Sequence, residues 1–184
     1  MAVVYFPVKK GTDDIRVVWS ETEVGVNDAV FAPSFFLPTC GTVTRRMPNN
    51  AWMGDFDVGE MFHNYMLHPS DWATHGVNCP WDLLEEFGSR TGRWERLLMG
   101  FCPSPYMSSR MMLRAIELAK GDLADPANPF SFVEVRLNLP MSPEYDPTEP
   151  RVVKLNAKGE TAGEVIPYVD DNRGLGKDEE QCRG

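Results

Sequence analysis

Two short apolar runs open the chain, at residues 3–8 and 15–19, and Lys9-Lys10-Gly11-Thr12-Asp13-Asp14 connects them. Short apolar runs bounded by turn residues read as strands, and Gly with Asp between them suits a hairpin turn. Scattered Pro, Gly and Asn make residues 25–50 read as loop with short ordered pieces. Residues 52–58 then predict a strand, 59–65 the start of a helix, and 94–101 a further short strand. The clearest element is a helix over Ser104–Lys120, where Met107, Met111, Ala115 and Leu118 recur at spacings of four and three. Met112, Ile116 and Ala119 widen that stripe, which is expected to face the core. Ser104 with Pro105 suits an N-cap and first turn, and Gly121 supplies a C-terminal stop.

After the helix, prolines crowd residues 122–150, so an extended surface excursion is expected around one strand at 132–139. Residues 151–155 and 164–169 read as strands around a turn at 156–163. Asn172-Arg173-Gly174 suits a second tight turn or bulge. The sum is a mixed α+β chain.

Composition alters this picture little. At 184 residues the chain suits one domain with a real core, and 42% apolar with 24% charged residues is ordinary for a globular protein. No stretch reaches the length of a membrane span, and the N-terminal apolar run is too short for a signal-peptide core. Cys40, Cys79, Cys102 and Cys182 are scattered, so free thiols in a reducing, intracellular compartment are expected. The net charge of -9 opposes a strong nonspecific grip on nucleic acid, because phosphate contacts need Lys and Arg. His63, His68, His75 and Cys79 match no standard zinc spacing. No glycine-rich phosphate loop and no Gly-x-Ser-x-Gly elbow occurs.

Candidate chemistry rests on carboxylates. Tyr168-Val169-Asp170-Asp171 ends an apolar strand just before turn residues. Adjacent aspartates at a hairpin tip repel each other, and a divalent cation relieves that repulsion through their oxygens. Asp-Asp pairs are also common in solvated turns. Asp55-Phe56-Asp57-Val58-Gly59-Glu60-Met61-Phe62 offers a second acidic strand end, with an aromatic five positions after Asp57. An aspartate there equally suits a helix cap.

Together these pieces resemble the reverse transcriptases of retroelements. Tyr168-Val169-Asp170-Asp171 is similar to that family's Tyr-x-Asp-Asp signature, and Asp57 through Phe62 to its first catalytic motif. Met99-Gly100-Phe101-Cys102-Pro103-Ser104-Pro105 resembles its Gly-aromatic-x-x-Ser-Pro segment, and Lys10 with Ile15-Arg16-Val17-Val18 resembles its fingers hairpin. The order is the family's, and the match spans nearly the whole chain. Met99 and Pro103 depart from it, standing where Gln and Gly are usual. The excursion over 122–163 is longer than retroviral spacing, as in a divergent retrotransposon.

The resemblance implies a palm-like, mainly antiparallel sheet with helices packed on one face, plus an N-terminal fingers-like hairpin. Residues 1–50 would be fingers-like and 51–184 palm-like, within one domain. It implies RNA-directed DNA polymerase chemistry, with Asp57, Asp170 and Asp171 catalytic and holding two Mg²⁺ (or Mn²⁺) ions about 4 Å apart. Lys10, Arg16, Phe62 and Met99 would contact the nucleotide: the cations its triphosphate, Phe62 its sugar. The implied partners are an RNA or DNA template–primer duplex and deoxynucleoside triphosphates, with no membrane. Little chain follows Asp171, so the thumb and RNase H portions of a longer polyprotein are expected to be missing and the isolated chain inactive. The alternative is a non-catalytic retroelement remnant or binding module that keeps the palm fold.

Overall fold

The computed structural model describes residues 2–183 apart from 13, 49–50 and 79–87, so Cys79 lies outside the described residues. The strands, in chain order, are β1 (Ala2–Lys10), β2 (Asp14–Ser20), β3 (Trp52–Asp57), β4 (Gly76–Asn78), β5 (Thr91–Arg93), β6 (Glu134–Leu137), β7 (Val152–Leu155), β8 (Glu164–Tyr168) and β9 (Asp171–Gly176). A long helix covers Ser104–Lys120 and a short C-terminal helix Glu179–Arg183. Strand pairs are antiparallel except β1 with β4, giving a mixed α+β, mainly antiparallel fold. Among the described residues no helix is long and apolar enough to cross a membrane. Contacts divide the chain into two interleaved units, Met1–Phe35 with Glu60–Ser108 and Phe36–Gly59 with Ser109–Gly184. That division does not fall at residue 50.

In the first unit the sheet order is β2-β1-β4-β5, and the expected N-terminal hairpin pairs Lys10 with Asp14 at its turn. Its core holds Val26, Leu67, Leu97, Leu98 and Phe101, with Trp19, Phe62, Tyr65, Trp72 and Trp94 packed around them. Residues 94–101 are not the strand their apolar run suggested. β5 ends at Arg93, and beyond it an isolated bridge joins Arg96 to Met66. Leu97 and Leu98 are both fully buried. A half-wet strand turns successive side chains to opposite faces, so two consecutive buried leucines mark an irregular core segment instead. The Asn27 side chain clamps the turn that follows, donating to the Gly100 carbonyl at 2.9 Å and accepting from Cys102 N–H at 2.9 Å.

The second unit holds a sheet of order β3-β9-β8 and a two-stranded ribbon of β6 and β7. Asn172-Arg173-Gly174, expected as a turn, lies inside β9. Its extended pairing with both neighbours satisfies the backbone that a turn would leave to solvent. The long helix has the expected bounds, and Gly121 ends it at φ +68 with its N–H donating to Leu118 O at 3.2 Å. Of the stripe expected to face the core, Met112 is buried and Ile116 half-buried, but its main row is not. Met107, Met111 and Leu118 are exposed, and burial runs instead along Ser104, Ser108, Met112 and, partly, Ile116. A spacing of four is satisfied by either row. Ser104 does not cap through its side chain, since its buried hydroxyl makes no hydrogen bond among the described residues.

Two features of the first unit generate tests. Gly100 sits at φ +101, and a Cβ there would collide with the Trp19 carbonyl oxygen. Gly100→Ala is therefore expected to cost at least about 2 kcal/mol, from backbone strain plus a clash with main chain that cannot swing aside. Urea unfolding of the variant checks this, and a loss below about 1 kcal/mol would contradict the packing.

Among the described residues Glu21 is fully buried with neither carboxylate oxygen hydrogen-bonded, and His75 is buried with Nε2 not hydrogen-bonded. Burial pushes the Glu21 carboxyl up, against a smaller opposing pull from His75. A carboxyl whose folded value exceeds its unfolded one stabilises fully below the unfolded value, and that share is lost as pH rises through the folded value. Glu21→Gln should thus gain stability relative to the parent as pH climbs from 4 toward neutrality. Parallel urea midpoints for the two proteins across that range would refute the assignment.

Candidate active site

The hairpin of β8 and β9 pairs Tyr168 with Asp171, leaving Val169 and Asp170 as a two-residue turn. Pro167 is tolerated because β8 is an edge strand, where a missing N–H costs no ladder bond. Val169 takes the left-handed conformation, at φ +56. For a β-branched residue that conformation is an outlier, and such outliers cluster at functional turns.

β3 lies on the other side of β9 with Asp57 opposite Asp171, and Val58 N–H donates to the Asp170 carbonyl at 3.0 Å. All three sequence-predicted aspartates therefore meet at one end of one sheet. Directly opposed residues of an antiparallel pair project to the same face, with Cβ atoms about 4.5–5.5 Å apart. Tyr168, Asp57 and Asp171 share that face, and one step inward on it Asp55 opposes Arg173. Arg173 donates from Nε to Asp55 Oδ1 at 2.6 Å and from Nη2 to Oδ2 at 2.9 Å, and this fork holds the Asp55 carboxyl below the usual range. Asp57, Asp170 and Asp171 are exposed, and among the described residues none of them forms an ion pair.

The opposite face of the sheet is built for helices. Gly54 faces Gly174 there, and the C-terminal helix lies against them, with Cys182 Sγ donating to the Gly174 carbonyl at 3.6 Å. Phe56, Val165 and Gly174 line a cavity of about 280 Å³ with Ile116 and Ala119 of the long helix. On the carboxylate face Ile166 and Leu175 are buried, and Ile166 lines a cavity with Ser109, Met112 and Leu113 of the long helix, whereas Asp57, Tyr168 and Asp171 at the tip are exposed.

Oxygen donors of this kind fit a hard divalent cation. Among the described residues no group of three or more His, Cys, Asp or Glu side chains is arranged to hold a metal ion. The register supplies two carboxylates side by side, and Asp170 stands in the turn next to them.

The other expected residues belong to the first unit. Lys10 is exposed at the end of β1, and Arg16 stands on β2 opposite Val8. Phe62 lies in a 3-10 helix, Met61–Asn64, half-buried against the apolar core, and Met99 is half-buried in the turn before Gly100. The histidines are engaged elsewhere: His63 stacks on Trp94, His68 Nδ1 is 2.8 Å from Ser70 Oγ, and His75 meets Phe101 edge-on. Sequence reading passed over Arg173. Its signal was the period of two, since Asp55 and Arg173 stand two residues inward from Asp57 and Asp171.

No protein-family model matches the chain, and no curated protein matches it. Among solved structures it is similar to a foamy viral protease-reverse transcriptase solved in complex with double-stranded DNA. The TM-score is 0.56 at 15% identity, over 95% of this chain and 21% of that one. The chain thus shares the fold of part of a reverse transcriptase and spans about a fifth of that protein's length.

The turn itself is testable. Glycine at position 169 would relieve a left-handed penalty of about 1–2 kcal/mol while adding roughly 0.5–1 kcal/mol of unfolded-chain entropy. Val169→Gly should therefore leave stability unchanged or slightly raised in urea titrations. A loss above about 1.5 kcal/mol would mean that the valine side chain, not the turn geometry, holds the hairpin.

Proposed function

We propose that the chain is the fingers-and-palm region of a retroelement reverse transcriptase, with Asp57, Asp170 and Asp171 as the metal-holding acids of nucleotidyl transfer. The observation that carries this reading is the register of Asp57 opposite Asp171 at the tip of the Tyr168-Val169-Asp170-Asp171 hairpin. The fold shared with part of a reverse transcriptase supports it.

Two Mg²⁺ or Mn²⁺ ions, when bound, would neutralise the phosphate charge and favour ionisation of a primer 3′-hydroxyl. The protein's own contribution is to present carboxylate oxygens from neighbouring strands at the exposed tip of the sheet. The Asp55–Arg173 fork fixes the next rung, which limits how far Asp57 and Asp171 can splay. In this reading Lys10 and Arg16 pair with the triphosphate of a deoxynucleotide, Phe62 packs against its sugar, and Met99 borders it. A template–primer duplex is the macromolecular partner, as the neighbour's DNA complex suggests. A non-catalytic binding module that keeps this fold is the second reading, favoured by the lack of a three-ligand metal cluster among the described residues.

Metal linkage separates the two. A cation that binds only the folded chain stabilises it by about 2.7 kcal/mol at a hundredfold excess over its dissociation constant. Thermal melts should rise with millimolar Mn²⁺ in the parent and not in Asp57→Asn. Without metal, Asp57→Asn should be the more stable by up to about 1 kcal/mol, because opposed like charges repel. Equal responses to Mn²⁺ in both proteins would remove the metal site and leave the binding-module reading.

A further inference from the structure

The second unit also contains a cavity of about 160 Å³, and cations dominate its polar lining. Arg46, Lys154 and Lys177 line it with Glu164, against apolar walls that include Val152 and Leu175. Glu164 Oε1 accepts from Lys154 Nζ at 2.9 Å and also from Arg46 Nη2, so one carboxylate serves two cations. Lys177 pairs with Glu160 at 2.9 Å on the outer side. Burial, and then the nearby Lys154 and Arg46 charges, pull the Lys120 ammonium down from its usual range. Three cations and one carboxylate thus line the cavity in a chain whose net charge is -9.

We infer that this cavity binds a phosphate or pyrophosphate group. The excess of cations sits beside apolar walls, and low-dielectric walls concentrate a field of one sign. Arg46 brings a planar fork and Lys154 a point donor, the two kinds of group that hold phosphate oxygens. Drug-sized ligands need pockets of about 300 Å³ or more, so this smaller space suits an anionic group rather than a whole nucleotide. Leu175 stands four residues along β9 from Asp171, roughly 13 Å in an extended strand, so the cavity is separate from the carboxylate pair. The inference rests on this geometry and not on the polymerase reading.

Calorimetric titration of the full chain with inorganic pyrophosphate, in EDTA so that no cation bridges it to the aspartates, tests the site. Saturable binding is expected, weakened roughly tenfold in Lys177→Gln by the loss of one charged contact. Lys154→Gln should weaken it further. If that variant fails to fold, Lys177→Gln decides, since its exposed side chain makes one surface ion pair. Asp170→Asn should bind as the parent does, which keeps this site distinct from the proposed catalytic one. Competition with an oligothymidylate identifies the source: displacement assigns the site to a nucleic-acid backbone phosphate, and no displacement to a free phosphate. Absence of saturable binding, or equal binding by Lys177→Gln and the parent, would overturn the inference.

Discussion

The pairing register of β3 on β9 is the constraint on which the second unit depends. Side chains alternate with a period of two, so a slip of one residue would carry Asp171 and Arg173 to the helix-covered face and Gly174 away from it. Three devices hold the register. The two-residue turn at Val169 and Asp170 fixes β8 on β9. The forked Asp55–Arg173 pair fixes β9 on β3, though such an exposed pair adds little stability by itself. The glycines opposed at positions 54 and 174 fix which face accepts the C-terminal helix, because a Cβ on Gly174 would press on the Cys182 carbonyl at 3.3 Å. One register therefore sets the candidate site and the seat of the C-terminal helix together.

The distribution of charge follows from the same arrangement. The acidic residues at the hairpin tip and the basic residues around Glu164 occupy opposite ends of β8 and β9. Net charge is a poor guide to what such a surface can bind, because fields of one sign are local and screened beyond roughly 10 Å. The sequence objection to a phosphate-bearing ligand counted residues over the whole chain. The grouping of Arg46, Lys154 and Lys177 was invisible to that count, since its members come together only through the fold.

Short-range signals in the sequence were read well. The bounds of the long helix, the N-terminal hairpin and the β8 strand followed from periodicity and turn residues. Tertiary partners decided what was misread. Met107, Met111 and Leu118 form as good a helical stripe as Ser104, Ser108 and Met112, and hydrophobicity alone favours the methionines. Which row is buried depends on the partners the fold supplies, not on the helix's own period. Leu97 and Leu98 read as strand because an apolar run has no period of its own to separate strand from irregular core. Asn172-Arg173-Gly174 carries turn residues, yet strands on both sides of β9 overrode their local preference. The three aspartates were legible from the motif, whereas Arg173 needed the register and the cation-lined cavity needed the whole unit.

The hairpin tip shows where local rules are broken. Val169 holds a left-handed backbone that a β-branched residue resists, and Asp171 faces a like charge at Asp57. Just beyond, Asn172 is buried with Oδ1 unbonded among the described residues, while its Nδ2 donates to the Asp170 carbonyl at 2.9 Å. Each feature opposes folding, and an Asn-Gly turn without opposed acids would avoid the first two. A solvated surface turn gives no reason for such costs to fall on consecutive residues of one hairpin. Under the proposed function a carboxylate pair presented at a fixed place does, because presentation requires a sharp turn, close register and unneutralised charge at once.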